Sequence, residues 1–151
     1  MAEIIYRQGH SLYVREWARN IILDIPPEDS FGEAEAIFNF VRDNLRYTQD
    51  PTGWEFIQTP EFLLKMIEMG ETPMADCDDM TTLGLTLLRT IGFRVGMEVA
   101  SWTPEGQFEH VYGLVWIDGD WFPFDAIRQS ATFGEPPQRQ PERTFAVMVK
   151  E

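Results

Sequence analysis

An α+β domain, with N-terminal helices packed on a C-terminal, mostly antiparallel sheet, is predicted by three features of the sequence. Apolar residues recur at spacings of three and four up to Gly92, and from Phe93 onward they follow the two-residue period of strands. Asp118-Gly119, set between two apolar runs, has the composition of a two-residue hairpin turn. Helices gathered in one half and strands in the other argue against the alternating order of a parallel α/β sheet. At 151 residues with 44% hydrophobic and 13% aromatic side chains, the chain suits one globular domain over residues 1–151, without internal repeats.

The elements follow in order. A first helix is expected over His10 to Ile25, with Leu12, Trp17, Ile21 and Ile25 as its apolar stripe and Pro26-Pro27 as its stop. The second runs from about Ser30 to Arg46. Phe31, Ala34, Ile37, Phe38, Val41 and Leu45 lie at threes and fours, and Ser30-Phe31-Gly32-Glu33 reads as a capping box. After the irregular stretch from Tyr47 to Trp54, Thr59-Pro60 supplies the N-cap and first residue of a third helix that runs through Met69 to Gly70. A fourth helix spans Cys77 to Ile91. Leu83, Gly84, Leu87 and Leu88 form one face, Leu85 lies on another, and no charge intervenes between Met80 and Arg89, so this helix is expected to be central and buried. Gly92 is its C-terminal cap. Strands are expected at Phe93–Trp102, Phe108–Ile117, Trp121–Ala126 and Thr144–Val149, the partner of the last being open, with a polar loop from Gly134 to Pro141.

The charge balance excludes several function classes. A formal net charge of -13, from 25 acidic and 12 basic residues with no basic cluster, would repel a phosphate backbone, so no nucleic-acid partner is expected. Every apolar run is broken by charge well before the roughly 18 residues of a membrane span, so no membrane partner is expected either. The single cysteine cannot form an internal disulfide, and the N-terminal residues lack the basic-then-apolar order of a signal peptide. Both features point to a cytoplasmic setting. No Cys-x-x-Cys, His-x-x-x-His or calcium-loop pattern is present, so neither metal nor cofactor is implied. Oligomeric state is not encoded in any of these features.

Cys77 carries the chemistry that remains. In Ala75-Asp76-Cys77-Asp78-Asp79 the thiol lies in the first turn of a helix capped by Asp76. The positive end of the helix dipole stabilises a thiolate there, and the free N–H groups can receive a developing oxyanion. Three adjacent carboxylates act in the opposite sense, so a reactive thiol needs a specific basic partner. The two histidines are His10, at a helix start, and His110, in a strand beside the predicted hairpin. If Asp118-Gly119 is the turn, Ile117 faces Asp120, Trp116 faces Trp121, and Tyr112 comes opposite Asp125. His110 is then diagonal to Asp125 on the same sheet face, within reach of a side-chain hydrogen bond. Cys77 as nucleophile, His110 as base and Asp125 as its orienter make a complete thiol triad.

With these residues in order, the sequence resembles the transglutaminase-like superfamily of papain-like cysteine enzymes, whose members run Gly-Asp-Cys, then His on one strand, then Asp on the next. The resemblance covers roughly residues 37 to 126. It includes Phe40 to Tyr47, Pro60, Asp76-Cys77-Asp78-Asp79, Leu87 to Phe93, His110-Val111-Tyr112, Trp121 and Asp125. Two positions depart from it: Ala75 replaces the usual Gly, and Tyr112 stands where many members have Trp. The resemblance implies an oxyanion site made by the Cys77 N–H and an upstream side chain, matched by Gln58, with Trp54 as a lesser candidate.

The expected activity is acyl transfer at a peptide, isopeptide or glutamine amide through a thioester. Protein or peptide is the expected substrate. Hydrolysis is favoured over cross-linking, although Lys65 and Lys150 bear only on self-cross-linking, where they offer few amines. The alternative is a catalytically silent structural or interaction protein of the same fold. Phages encode some small relatives of this kind, for which an assembly role would be credible.

Overall fold

A computed structural model of the chain describes residues 1–49 and 57–151. Its elements are α1 (Ala2–Gln8), α2 (Leu12–Ile21), α3 (Ser30–Asn44), β1 (Arg46–Tyr47), α4 (Pro60–Glu68), β2 (Met74–Ala75), α5 (Cys77–Thr90), β3 (Val95–Ser101), β4 (His110–Ile117), β5 (Asp120–Phe124) and β6 (Arg143–Met148). This is the α+β architecture expected, with helices before the sheet in sequence and beside it in space.

The helix starts follow their caps. Ser11 accepts a hydrogen bond from the Val14 N–H, so α2 begins at Leu12 rather than His10, and the buried face is Val14 and Ala18 flanked by Trp17 and Ile21. Leu12 cannot share that face and is 78% exposed, which corrects the expected stripe. Ile25 lies beyond the helix end. At α3 the expected capping box is displaced by one residue: Asp29 accepts from the Gly32 N–H and Ser30 is already helical. The carboxylate of Asp29 competes with the Ser30 hydroxyl for the same first-turn donors and takes them. Thr59 and Pro60 cap and open α4 as expected, Thr59 accepting from the Phe62 N–H. Helix α1 was not expected; Gly9 and His10 separate its single apolar face from that of α2.

α5 is the axis of the molecule. Helices α1 to α4 all contact it, and β3 and β4 cover its remaining side. Every residue from Asp79 to Leu88 is buried. Two glycines allow helix and sheet to approach this closely. A Cβ on Gly84 would lie 2.4 Å from the Phe124 ring of β5, and one on Gly113 of β4 would lie 2.7 Å from Leu85. Phe124 thus docks directly on α5 and fixes the position of its neighbour Asp125.

The sheet runs β5-β4-β3-β6 with every pairing antiparallel. Asp118 and Gly119 adopt φ of 50° and 92°, the two positive values that a type I′ turn requires. The ladder pairs Ile117 with Asp120 and Trp116 with Trp121, continuing to Gly113 with Phe124, which is the expected register. β6 finds its partner in β3. A second, two-stranded sheet pairs β1 with β2 in parallel, Tyr47 opposite Ala75. Among the described residues no helix is long and apolar enough to cross a membrane.

Replacing Gly84 with Ala forces Phe124 away from α5. Overpacking of this kind costs about 1–3 kcal/mol. Urea denaturation of Gly84→Ala should show that loss, and unchanged stability would contradict the close helix–sheet contact.

Candidate active site

Cys77 is the first residue of α5 and is half-buried. The helix start is tied down by a reciprocal pair of bonds: the Asp76 carboxylate accepts from the Asp79 N–H at 2.9 Å, and the Asp79 carboxylate accepts from the Asp76 N–H at 3.1 Å. Asp79 also accepts from Gln58, whose backbone N–H lies at 2.8 Å and side-chain Nε2 at 3.0 Å. Two of the three acids beside the thiol thus direct carboxylate oxygens to N–H donors at the helix start. Asp78 is the one that faces sulfur, its Oδ1 lying 3.9 Å from Cys77 Sγ. Ala75 is not among the residues with positive φ, so the replacement of the usual glycine strains nothing.

Gln58 stands next to the helix start, as the resemblance implied. Its Nε2 donates to the Met74 carbonyl at 2.8 Å as well as to Asp79, so both amide hydrogens are in use. Trp54 lies outside the described residues. The Cys77 N–H lies in the first turn of α5, where backbone donors have no acceptor within the helix.

His110 opens β4 and Asp125 follows β5 immediately. His110 Nε2 and Asp125 Oδ2 are 2.9 Å apart, with side chains only 9% and 11% exposed. Nε2 is the nitrogen at the carboxylate, and Cys77 is near enough to the ring to raise its pKa. Burial would depress the imidazole pKa. The hydrogen bonds and charges of Asp125 and Cys77 outweigh it and lift the value from 6.5 to about 9. His10, by contrast, is exposed and edge-on to Tyr6, far along the chain's other end of α5.

Three aromatic side chains lie at the site: Tyr112, which sequence reasoning named as a departure from the family pattern, and Tyr47 and Trp102, to which it gave no role there. The Trp102 and Tyr112 rings lie near-parallel to the imidazole, at 6.3 and 5.9 Å between centroids. Tyr112, whose pKa is raised by burial and then by Glu98, is the family-variable position and keeps an aromatic ring beside the histidine. Tyr47 is brought to the helix start by its pairing with Ala75. Its pKa is raised by burial and by the charges of Cys77, Asp76 and Asp125. A cleft of about 330 Å³ opens beside His110 and Asp125, with Tyr47 and Trp102 in its walls. Among the described residues no group of three or more His, Cys, Asp or Glu side chains could hold a metal ion.

The chain belongs to the transglutaminase-like superfamily, whose pattern matches over residues 15–126. No curated protein matches the sequence. Among solved structures, a candidate protease from Parabacteroides distasonis superposes with a TM-score of 0.64 at 11% identity, over 83% of this chain and 25% of that one. A candidate cysteine protease from Cytophaga hutchinsonii gives 0.58 at 17% identity, over 99% of this chain and 56% of that one. LapG of Legionella pneumophila gives 0.57 at 17% identity, over 98% and 87%. The chain thus spans about a quarter and about half of the first two. At these identities the likeness is one of fold.

The raised imidazole pKa has a consequence for stability. A folded value of about 9 against an ordinary 6.5 means that the imidazolium stabilises the fold fully below about pH 6.5 and ceases to do so as pH rises through about 9. Denaturation measured from pH 6 to 10 should show that decline in the wild type and a flatter profile in Asp125→Asn. Parallel profiles would mean that Asp125 does not hold the proton on His110.

Proposed function

We propose that the protein is a thiol-dependent acyl transferase acting on amide bonds of proteins or peptides, with Cys77 as nucleophile, His110 as general acid and base, and Asp125 as the group that orients and charges the imidazole. The observation that carries this reading is the nearly buried 2.9 Å contact between His110 and Asp125, on a ring whose pKa Cys77 also raises. An imidazolium next to sulfur stabilises the thiolate, offsetting the charge of Asp78.

In the proposed reaction the thiolate sulfur attacks the amide carbonyl carbon and the π electrons move to oxygen. The Cys77 N–H receives that oxyanion, and Gln58 is the proposed second donor, which requires its amide to release the Met74 carbonyl. Collapse of the intermediate breaks the C–N bond as His110 Nδ1 gives its proton to the departing nitrogen, leaving a thioester. Water then transfers a proton to His110 as its oxygen attacks the thioester carbon. The C–S bond breaks, the acid leaves, and the thiolate–imidazolium pair is restored. An amine in place of water gives transamidation by the same steps. We read the chain as one domain working in a reducing compartment, where a lone thiol stays free.

Alkylation by iodoacetamide reports the thiolate without a substrate. At pH 6 to 7 the His110→Ala variant should react about ten-fold more slowly than wild type or worse. Incubation with a mixed peptide pool should yield new termini that Cys77→Ala abolishes. A thiol equally sluggish in both proteins, with the pool left intact, would turn the reading to a catalytically silent member of the fold.

A further inference from the structure

The cleft beside the imidazole has a charge pattern opposite to that of the molecule. Acidic residues outnumber basic ones by 25 to 12 in the chain. In the cleft wall two arginines, Arg128 and Arg139, stand against Glu109, because Asp125 is spent on His110. Arg139 has no carboxylate partner among the described residues. Its guanidinium lies 5.8 Å over the Trp102 ring, which in turn faces His110. Arg128 makes only a long contact, 3.5 Å, with the half-exposed Glu135.

The loop that carries both arginines is anchored rather than loose. Ala131 and Phe133 are buried, Phe133 packs among Phe31, Phe38, Phe122 and Phe124, and the Ala131 carbonyl accepts from Arg42 at 2.7 Å. The backbone between the two arginines is thus fixed, and the Arg139 guanidinium is kept near the site by its contact with the Trp102 ring.

We propose that this cleft selects substrates carrying a carboxylate close to the scissile bond, with Arg128 and Arg139 as the recognition groups. The assignment rests on the thiol chemistry proposed above. His110 and Asp125 line the same cleft as the two arginines, so a carboxylate held there lies beside the imidazole that serves the scissile amide. A planar guanidinium binds a carboxylate with two parallel hydrogen bonds, and the neighbouring Trp102 ring keeps Arg139 in place.

Two alkylating reagents of similar size, iodoacetate and iodoacetamide, test the proposal on the full chain. In both, the Cys77 thiolate forms a bond to the CH2 carbon as iodide leaves. Only the first carries a carboxylate, and the charge of His110 is common to every protein compared. Screened attraction at the span of such a cleft amounts to roughly two-fold in rate per arginine. The iodoacetate-to-iodoacetamide rate ratio should therefore fall about four-fold in the Arg128→Gln, Arg139→Gln double variant. It should be unchanged in Arg19→Gln, on exposed α2 surface. The cut sites in a mixed peptide pool should show Asp and Glu enriched close to the scissile bond for wild type, and no enrichment for the double variant. A ratio that the double variant leaves unchanged, or cut sites indifferent to acidic residues, overturns the selection while leaving the thiol chemistry standing. A wild-type Cys77 inert to both reagents removes the thiol chemistry and the selection together.

Discussion

The carboxylate of Asp79 is the point on which the site's geometry depends. Nearly buried, it accepts from the Asp76 N–H and from both the backbone and side-chain nitrogens of Gln58. An anion this deep is tolerable only with several donors around it, and here it has three in addition to the positive end of α5. The same bonds fix the first turn of α5, the end of β2 and the segment entering α4. Since Cys77 is the next residue after the cap, its backbone cannot shift without breaking a charge-assisted network. One side chain thus converts a surface loop, a two-residue strand and a helix start into a single rigid unit.

Opposite that unit, the sheet delivers the imidazole by a different physical route. Backbone hydrogen bonding sets the register of β4 against β5, and the type I′ turn at Asp118-Gly119 permits no one-residue slip. The two routes meet because α5 lies close on the sheet, an approach that Gly84 and Gly113 make possible. The electrostatics follow from this convergence. Asp78 faces the sulfur and Asp125 faces the ring. Burial penalises a charge on the imidazole, and pairing with Asp125 outweighs that penalty.

Much of this frame was legible in the sequence because it rests on short-range rules. The cap at Asp76, the opening at Thr59-Pro60 and the turn at Asp118-Gly119 each depend on two to four neighbouring residues. The meeting of His110 with Asp125 follows from the turn by counting along the ladder. The misplaced features are those in which near-equal local signals compete: Asp29 against Ser30 at the start of α3, and Val14 against Leu12 on the face of α2. Tyr47 and Trp102 escaped notice for a different reason. The pairing of Tyr47 with Ala75 is two residues long and parallel, too short to leave a period in the sequence. Trp102 reaches His110 through the register of β3 on β4, and the loop between those strands has no turn signature that would set it.

The loop after Asp125 shows why polarity alone misleads at such sites. Gly134 to Pro141 read as a polar connection, and just before it Ala131 and Phe133 bury themselves against α3 and β5. Those two side chains are enough to hold the intervening polar residues beside the imidazole. A chain with a large excess of acid must also present basic groups deliberately if it is to hold a carboxylate near its thiol, because the long-range field opposes the encounter. At short range the field of the whole protein is screened within about 8–10 Å, and the nearest charges decide. In the proposed selection, two arginines at the cleft act locally against the overall charge of the molecule.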